Sequence, residues 1–212
     1  MKIHTLILGQ LQTNCYIIES QNKNAIIIDC GDNSDRVISF LKENDLQLKK
    51  ILLTHGHFDH IGAVSEVMQA TGAEVYIHTN DAGMLIDSRL SLASELGLSQ
   101  NNISLFTEIC DGDKIILDEI NLKVIHTSGH TKGSVCFIGD GVTFSGDTLF
   151  EGTVGRTDFP GGSFPEIKKS IDRLAALDGD YRVYTGHGAS TTLSKERDTN
   201  IYFRDNYNDF DF

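Results

Sequence analysis

Tryptophan is absent from this 212-residue chain, proline occurs only twice, and no run of about 18 apolar residues appears anywhere. The missing run excludes a membrane-spanning helix, and two prolines leave no Pro-rich linker between folding units. The four cysteines, Cys15, Cys30, Cys110 and Cys136, are widely spaced and form no C-x-x-C pair. That spacing argues against a disulfide framework, and burial as a small hydrophobe is expected for all four. Residues Met1 to Gln10 are interrupted by His4, Thr5, Gly9 and Gln10, so a signal-peptide core is lacking and a cytoplasmic location is expected. Cations are scarce: 18 Lys plus Arg face 30 Asp plus Glu, for a formal charge of -12. Such a balance disfavours nucleic acid as a general partner.

The residues AVILMFWYC make up 40% of the chain, an ordinary supply for one globular domain over residues 1–212. Short β-branched runs at Leu6 to Leu8, Cys15 to Ile18, Ala25 to Ile28, Ile51 to Leu53 and Val75 to Ile77 read as buried strands. Helical spacing predicts helices over Ser34 to Asn44 and Ile61 to Ala70. Two hairpins follow, Ile115 to Leu117 with Leu122 to Ile125, and Val135 to Ile138 with Val142 to Phe144. A helix marked by Phe164, Ile167, Ile171 and Leu174, a strand at Tyr181 to Thr185 and a polar helix over Ser194 to Arg204 complete the reading. Asp81 to Cys110 reads only as partly helical. Strands and helices recurring in both halves predict an α/β layered sandwich with helices outside.

The dominant chemical signal is Thr54-His55-Gly56-His57-Phe58-Asp59-His60, placed where a strand ends and a helix begins. Alternation along an extended chain puts His55 and His57 on one side, and a turn through Phe58 brings Asp59 and His60 to a second position beside it. Imidazole nitrogen and carboxylate oxygen suit zinc, iron or manganese, and no nearby cysteine offers a closed thiolate site. Three later points repeat one context, a polar residue after an apolar strand and beside glycine: Gly129-His130, Gly146-Asp147 and Gly186-His187-Gly188. With His55, His57, Asp59 and His60 they make five His and two Asp, more than one tetrahedral ion uses and enough for two neighbouring ions. His4, His78 and His126 lie in or beside strand-like runs and are expected to pack without a metal role.

The Thr-His-x-His-x-Asp-His element, Gly129-His130-Thr131, Phe144 to Phe150 and Gly186-His187-Gly188 resemble the metallo-β-lactamase superfamily, and within it the short glyoxalase II-like hydrolases. The resemblance implies a four-layer αβ/βα sandwich, two mixed sheets with helices on the outer faces and metals at one edge. It implies His55, His57 and His130 on a first metal, Asp59, His60 and His187 on a second, and Asp147 bridging, with two divalent ions, zinc foremost, as cofactors. Asp59 and Asp147 carry the catalytic assignment. Asp29, ending its strand, resembles an acidic residue that supports a ligand from behind, and reads equally as a turn-forming Asp. Arg156, within Phe150 to Gly162, falls where longer relatives hold a substrate carboxylate with a lysine, and reads equally as the partner of Asp158 or another loop acid. Ala189, after Gly188, and Ile201, after Asn200, depart from the glutathione-binding pattern, and Phe212 ends the sequence without a further helical domain.

The implied activity is hydrolysis of a small acyl-thioester such as S-lactoylglutathione by metal-activated hydroxide. A thiolate, whose conjugate acid has a pKa of about 8.5, leaves without a strong general acid, whereas an amide nitrogen demands one. Two other readings stand beside it. One is an iron persulfide dioxygenase of the same superfamily, against which Gly186-His187-Gly188 counts. The other is a non-catalytic metal-binding module, against which seven metal-capable residues count, since a structural site is closed by four.

Overall fold

The computed structural model describes residues 1–204; residues 205–212, the tail of the expected 1–212 domain, lie outside the described residues. In chain order the strands are β1 (Lys2–Leu8), β2 (Thr13–Glu19), β3 (Asn24–Ile28), β4 (Gln47–Leu52), β5 (Glu74–His78), β6 (Thr107–Ile109), β7 (Lys114–Leu117), β8 (Ile120–His126), β9 (Val135–Gly139), β10 (Val142–Gly146), β11 (Leu149–Phe150), β12 (Thr153–Val154), β13 (Arg182–Thr185) and β14 (Thr191–Thr192). The α-helices are α1 (Ser34–Glu43), α2 (Phe58–Ile61), α3 (Val64–Thr71), α4 (Phe164–Ala175) and α5 (Leu193–Thr199).

One six-stranded sheet runs β1-β2-β3-β4-β5-β6 and a second runs β14-β13-β10-β9-β8-β7. Both are mixed. From β3 to β6 the first sheet is parallel, because α1 and the α2–α3 segment carry the chain back between strands, while β1 to β3 are antiparallel. In the second sheet β10 and β13 pair in parallel across α4.

The apolar runs explain the layering. Successive side chains on a strand point to opposite faces, so an uninterrupted apolar strand needs cover on both. On β2, Cys15 and Ile17 join Ile27, Ile51, Val37, Leu41, Val64 and Val67 in a core between the first sheet and α1 and α3. Their neighbours Tyr16 and Ile18 join Ile26, Leu52, Val124, Phe137 and Phe144 in a second core between the sheets. A third core sets Ile125, Cys136, Ile138 and Val183 against Ile171, Leu174 and Leu193 of α4 and α5. The result is the four-layer αβ/βα sandwich.

Several boundaries differ from the sequence reading. The helix expected over Ile61 to Ala70 is two helices broken at Gly62 and Ala63. The loop after β3 presses on this break: Ala63 N donates to Cys30 O at 3.0 Å, Cys30 N donates to His60 O at 2.9 Å, and a Cβ on Gly31 would lie 1.7 Å from Asp59 O. The helix expected over Ser194 to Arg204 stops at Thr199, because the buried Asn200 turns its amide to Thr153 O and Glu196 Oε2 and leaves the helical region. The Asp81 to Cys110 region holds most of a seven-residue 3-10 helix, Thr79–Leu85, a single 3-10 turn at Ser94–Leu96 and the added edge strand β6, which pairs with β5. Cys15, Cys30 and Cys136 are buried and unpaired as expected; Cys110 is exposed, because it follows the short β6 at the sheet edge. His4 bonds to Glu19, and His78 stacks on His126 with ring centroids 4.2 Å apart, so all three of these histidines are engaged in packing. No helix among the described residues is long and apolar enough to cross a membrane.

Candidate metal centre

The carboxyl ends of β3, β4, β8, β10 and β13 converge on one edge of the sandwich, and each delivers a polar side chain there. Asp29 follows β3 with φ 57° and accepts from Thr54 N at 2.8 Å and Thr54 Oγ1 at 2.7 Å, which fixes the start of the histidine motif. The same carboxylate lies 2.8 Å from His60 Nδ1. A buried ring nitrogen against a carboxylate carries the proton, so His60 presents Nε2 to the cavity. Asp29 therefore supports a ligand-bearing segment rather than only shaping a turn.

The other rings are oriented in the same manner. His130 Nδ1 donates to Arg156 O at 2.8 Å and His187 Nδ1 to Leu11 O at 3.0 Å, so both turn Nε2 inward. The structure brings all seven sequence-singled residues together in three overlapping groups: His55, His57 and His130; His55, His60 and Asp147; and Asp59, His60 and His187. Within each group the offered atoms lie within 4.8 Å of one another. Asp147 sits between the outer groups, its Oδ1 3.4 Å from His60 Nε2 and its Oδ2 3.6 Å from His130 Nε2 and 3.7 Å from His187 Nε2. Gly186 makes this approach possible, since a Cβ there would lie 2.1 Å from Asp147 Oδ1.

The donors fit metal. His55 Nε2, His57 Nε2 and Asp147 Oδ1 are buried with no hydrogen-bond partner, an arrangement that costs stability unless something else satisfies them. His57 Nδ1 and His130 Nε2 lie 2.9 Å apart, and His60 Nε2 and His187 Nε2 3.3 Å. Nitrogen and carboxylate donors without sulfur match zinc, iron or manganese, and the overlapping groups are consistent with a binuclear site. Electrostatics divides the histidines. Burial, aided by the neighbouring His60, pushes His55 well down, and burial with His130 and His60 lowers His57 to about 3, so both rings are neutral donors at pH 7. For His60 burial opposes the charge, yet Asp59, Asp29 and Asp147 outweigh it and raise the ring to about 10. Burial raises Asp59 but the charge of His60 and the bond to His187 overcome it, holding the carboxylate ionised.

Sequence reasoning missed two supports. Asp81, fully buried in the region that was least readable, accepts from Gly56 N at 3.2 Å, Thr131 Oγ1 at 2.6 Å and Gly133 N at 2.7 Å. One carboxylate thus ties the loop of His55 and His57 to the loop of His130. The other support is β2: Asn14 Nδ2 donates to Thr185 O and Gly188 O, each at 3.0 Å, and Tyr16 Oη to Thr185 O at 2.6 Å, anchoring the His187 turn to the first sheet. Neither has a local signal, because each acts across sequence separations of tens to more than a hundred residues.

Arg156 is engaged by Asp158, through Nε to Oδ1 at 2.7 Å and Nη2 to Oδ2 at 2.6 Å, with its guanidinium 3.9 Å over the Phe159 ring. The pairing with a loop acid is what the structure shows. Both side chains are more than half exposed, so the pair is weak, and it edges a cavity of about 580 Å³ whose floor is His57, Asp59, His130, Asp147 and His187. With the guanidinium so placed, Arg156→Ala is expected to raise KM for acidic substrates and Asp158→Ala to lower it. Each change should stay below about fivefold, and parallel movement of both variants would remove Arg156 from the pocket.

Comparison with known proteins places this geometry. A family model described as the metallo-β-lactamase superfamily matches residues 8–187. The chain is 37% identical to hydroxyacylglutathione hydrolase GloC of Haemophilus influenzae, over 95% of this chain and 98% of that protein. The crystal structure of BLEG-1 B3 metallo-β-lactamase superposes with a TM-score of 0.90 at 35% identity, covering 95% of this chain and 99% of that one. That of TTHA1623, in a di-iron-bound form, gives 0.85 at 35% identity over 94% and 99%. Matched over most of its length in both sequence and fold, and carrying its His and Asp groups at the shared edge of two sheets, the chain belongs to the metallo-β-lactamase superfamily.

Proposed function

We propose that the chain is a metal-dependent hydrolase that cleaves small acyl-thioesters, of the kind represented by S-lactoylglutathione. The observation that carries the reading is the convergence of five His and two Asp into overlapping donor groups at the base of one cavity. His55, His57 and His130 would hold one ion, Asp59, His60 and His187 a second, with Asp147 between them. Bound there, two divalent ions supply Lewis acidity, lowering the pKa of water toward neutrality and polarising an acyl oxygen.

The chain's own residues do the rest. His130 and His187, each pinned through Nδ1, cannot rotate away from the cavity, which keeps the donor set preorganised. Asp59, held ionised, offers a carboxylate to orient the attacking water. Phe159, Leu92 and Leu96 wall the cavity and limit bulk solvent around the reacting carbonyl. A thiolate departs unaided, so a thioester asks no proton of the lining, whereas an amide nitrogen demands one. That chemistry supports a thioester over a β-lactam, and GloC is named for a glutathione thioester.

The deciding experiment combines ion content of the purified protein with three assays: hydrolysis of S-lactoylglutathione, oxygen uptake with glutathione persulfide, and turnover of a β-lactam. Thioester cleavage with two ions bound is expected. Oxygen uptake with a single iron would replace this reading with the persulfide dioxygenase.

Ion uptake should also show a proton linkage. In the ion-free fold the raised His60 contributes stability that is complete below its ordinary value of 6.5 and is lost as pH climbs through about 10. Binding at Nε2 must displace that proton. Calorimetry in buffers of different ionisation enthalpy is expected to register proton release near neutral pH and tighter binding as pH rises; pH-independent affinity would count against His60 as a ligand.

A further inference from the structure

A second cavity of about 590 Å³ adjoins the first. Leu11, Phe58, Asp59 and Leu96 belong to the walls of both, so the two volumes meet along a ridge beside the Asp59, His60 and His187 group. The ridge presents apolar surface to solvent, with Leu11 53% and Leu96 61% exposed. Beyond it the charged residues of the wall are Asp32, Glu66 and Asp59, and the wall contains no Lys, Arg or His. Glu66 Oε1 accepts from Asn101 Nδ2 at 2.6 Å, and neither Asp32 nor Glu66 forms an ion pair among the described residues.

We infer that this second cavity receives the thiol-side arm of the substrate, and that its carboxylates select neutral or cationic arms over anionic ones, so that S-lactoylglutathione, whose arm carries two carboxylates and one ammonium, is cleaved more slowly than the same acyl group on a neutral thiol. The inference rests on the thioester reading above. Hydrolysis needs a volume into which sulfur recedes from the carbonyl carbon while the acid stays on the donor groups, and the space past the Leu11 and Leu96 ridge is contiguous with that point. An apolar ridge favours an aliphatic stretch next to sulfur, since methylenes there cover leucine surface otherwise facing water. Farther in, Asp32 and Glu66 set the field. Asp59 is engaged at the donor groups and counts less. An anionic terminus about 7 Å from one carboxylate, at an effective dielectric of about 40, is disfavoured by nearly tenfold, and a cationic terminus is favoured to a similar degree.

The test uses thioacetates of alkanethiols of graded length ending in a tert-butyl, a trimethylammonio or a carboxylate group. Acetyl is too small to leave the first cavity, and the tert-butyl and trimethylammonio ends match in shape. Once the chain is long enough to pass the ridge, kcat/KM for the carboxylate arm is expected to fall about tenfold below the tert-butyl arm, with the trimethylammonio arm equal or better, and added salt narrowing the spread. Asp32→Asn and Glu66→Gln, singly and together, should shrink the ratio of tert-butyl to carboxylate rates measured within each variant; Asp32 is exposed, so its variant keeps the assay available if Glu66→Gln misfolds. Equal rates for the carboxylate and tert-butyl arms, or a preference that persists in the folded variants, would overturn the assignment. Dissociation constants of the corresponding thioethers, measured by calorimetry, separate the two claims. If no thioacetate is cleaved yet the thioethers keep the charge order, the thioester reading fails and takes the thiol-arm assignment with it, leaving only the charge selection of the cavity; cleavage without any charge order overturns the cavity assignment alone.

Discussion

Asp147→Ala is expected to lower kcat/KM for the thioester by at least about 10³-fold while the protein stays folded. The side chain is placed among three imidazoles, with distances of 3.4 to 3.7 Å to His60, His130 and His187, so its loss strips negative charge from the point where the proposed ion positions meet. Because kcat depends on both positions acting as a unit, the fall should appear in kcat and in bound ion content rather than in KM alone. Stability should fall only modestly, since Asp147 Oδ1 has no hydrogen-bond partner in the ion-free fold and the charge it offers His60 is shared with Asp59 and Asp29. Circular dichroism and thermal unfolding of the ion-free protein check that half of the prediction. Asp147→Asn keeps the shape and removes the charge, and near-normal turnover in either variant would refute a bridging role.

Asp81→Ala should damage the fold and the site together. It leaves Gly56 N–H, Gly133 N–H and the Thr131 hydroxyl facing a buried space without their acceptor. Losing several buried partners at once costs about 3 kcal/mol, which in a protein of this size lowers the thermal midpoint by about 6 to 12 °C. Burial raises this carboxyl above its ordinary value while Thr131 and the two amides hold it down, so the group sits in balance rather than as an unpaired charge. The two loops it joins hold His55, His57 and His130, and their loosening is expected to weaken ion affinity by about 10 to 100-fold. Titration with Co(II), followed by its visible absorption, reads that affinity without relying on turnover. Asp81→Asn keeps one acceptor oxygen and should recover part of both losses. Wild-type ion affinity in Asp81→Ala would show that the loops are held by other contacts.

The sandwich was legible because its strands are β-branched runs buried on both faces, a pattern that Ile26 to Ile28 and Ile17 to Ile18 display without ambiguity. His55 through His60 were legible for a different reason: a dense polar cluster directly after a buried strand has few uses other than chemistry. His130, Asp147 and His187 needed their glycine neighbours to be noticed, since each alone is an ordinary loop residue. What stayed hidden depends on contacts between distant segments. The break between α2 and α3 comes from pressure by Gly31 and Cys30, the strand β6 exists only because β5 offers it an edge, and the clamp of Asp81 is visible only once Thr131 and Gly133 lie beside it. Arg156 illustrates the limit of local reading in the other direction, because its partner Asp158 is only two residues away and the spacing alone does not distinguish an ion pair from a substrate contact.

The placement of donors on both sheets carries a consequence for biogenesis. Residues His55 to His60 leave the ribosome some 70 to 130 positions before His130 and His187, so a nascent chain displays three imidazoles and a carboxylate while the complementary groups have yet to be synthesised. Capture of a full ion complement is therefore a late event that certifies the docking of the carboxyl-terminal sheet, and a truncated translation product is left without it.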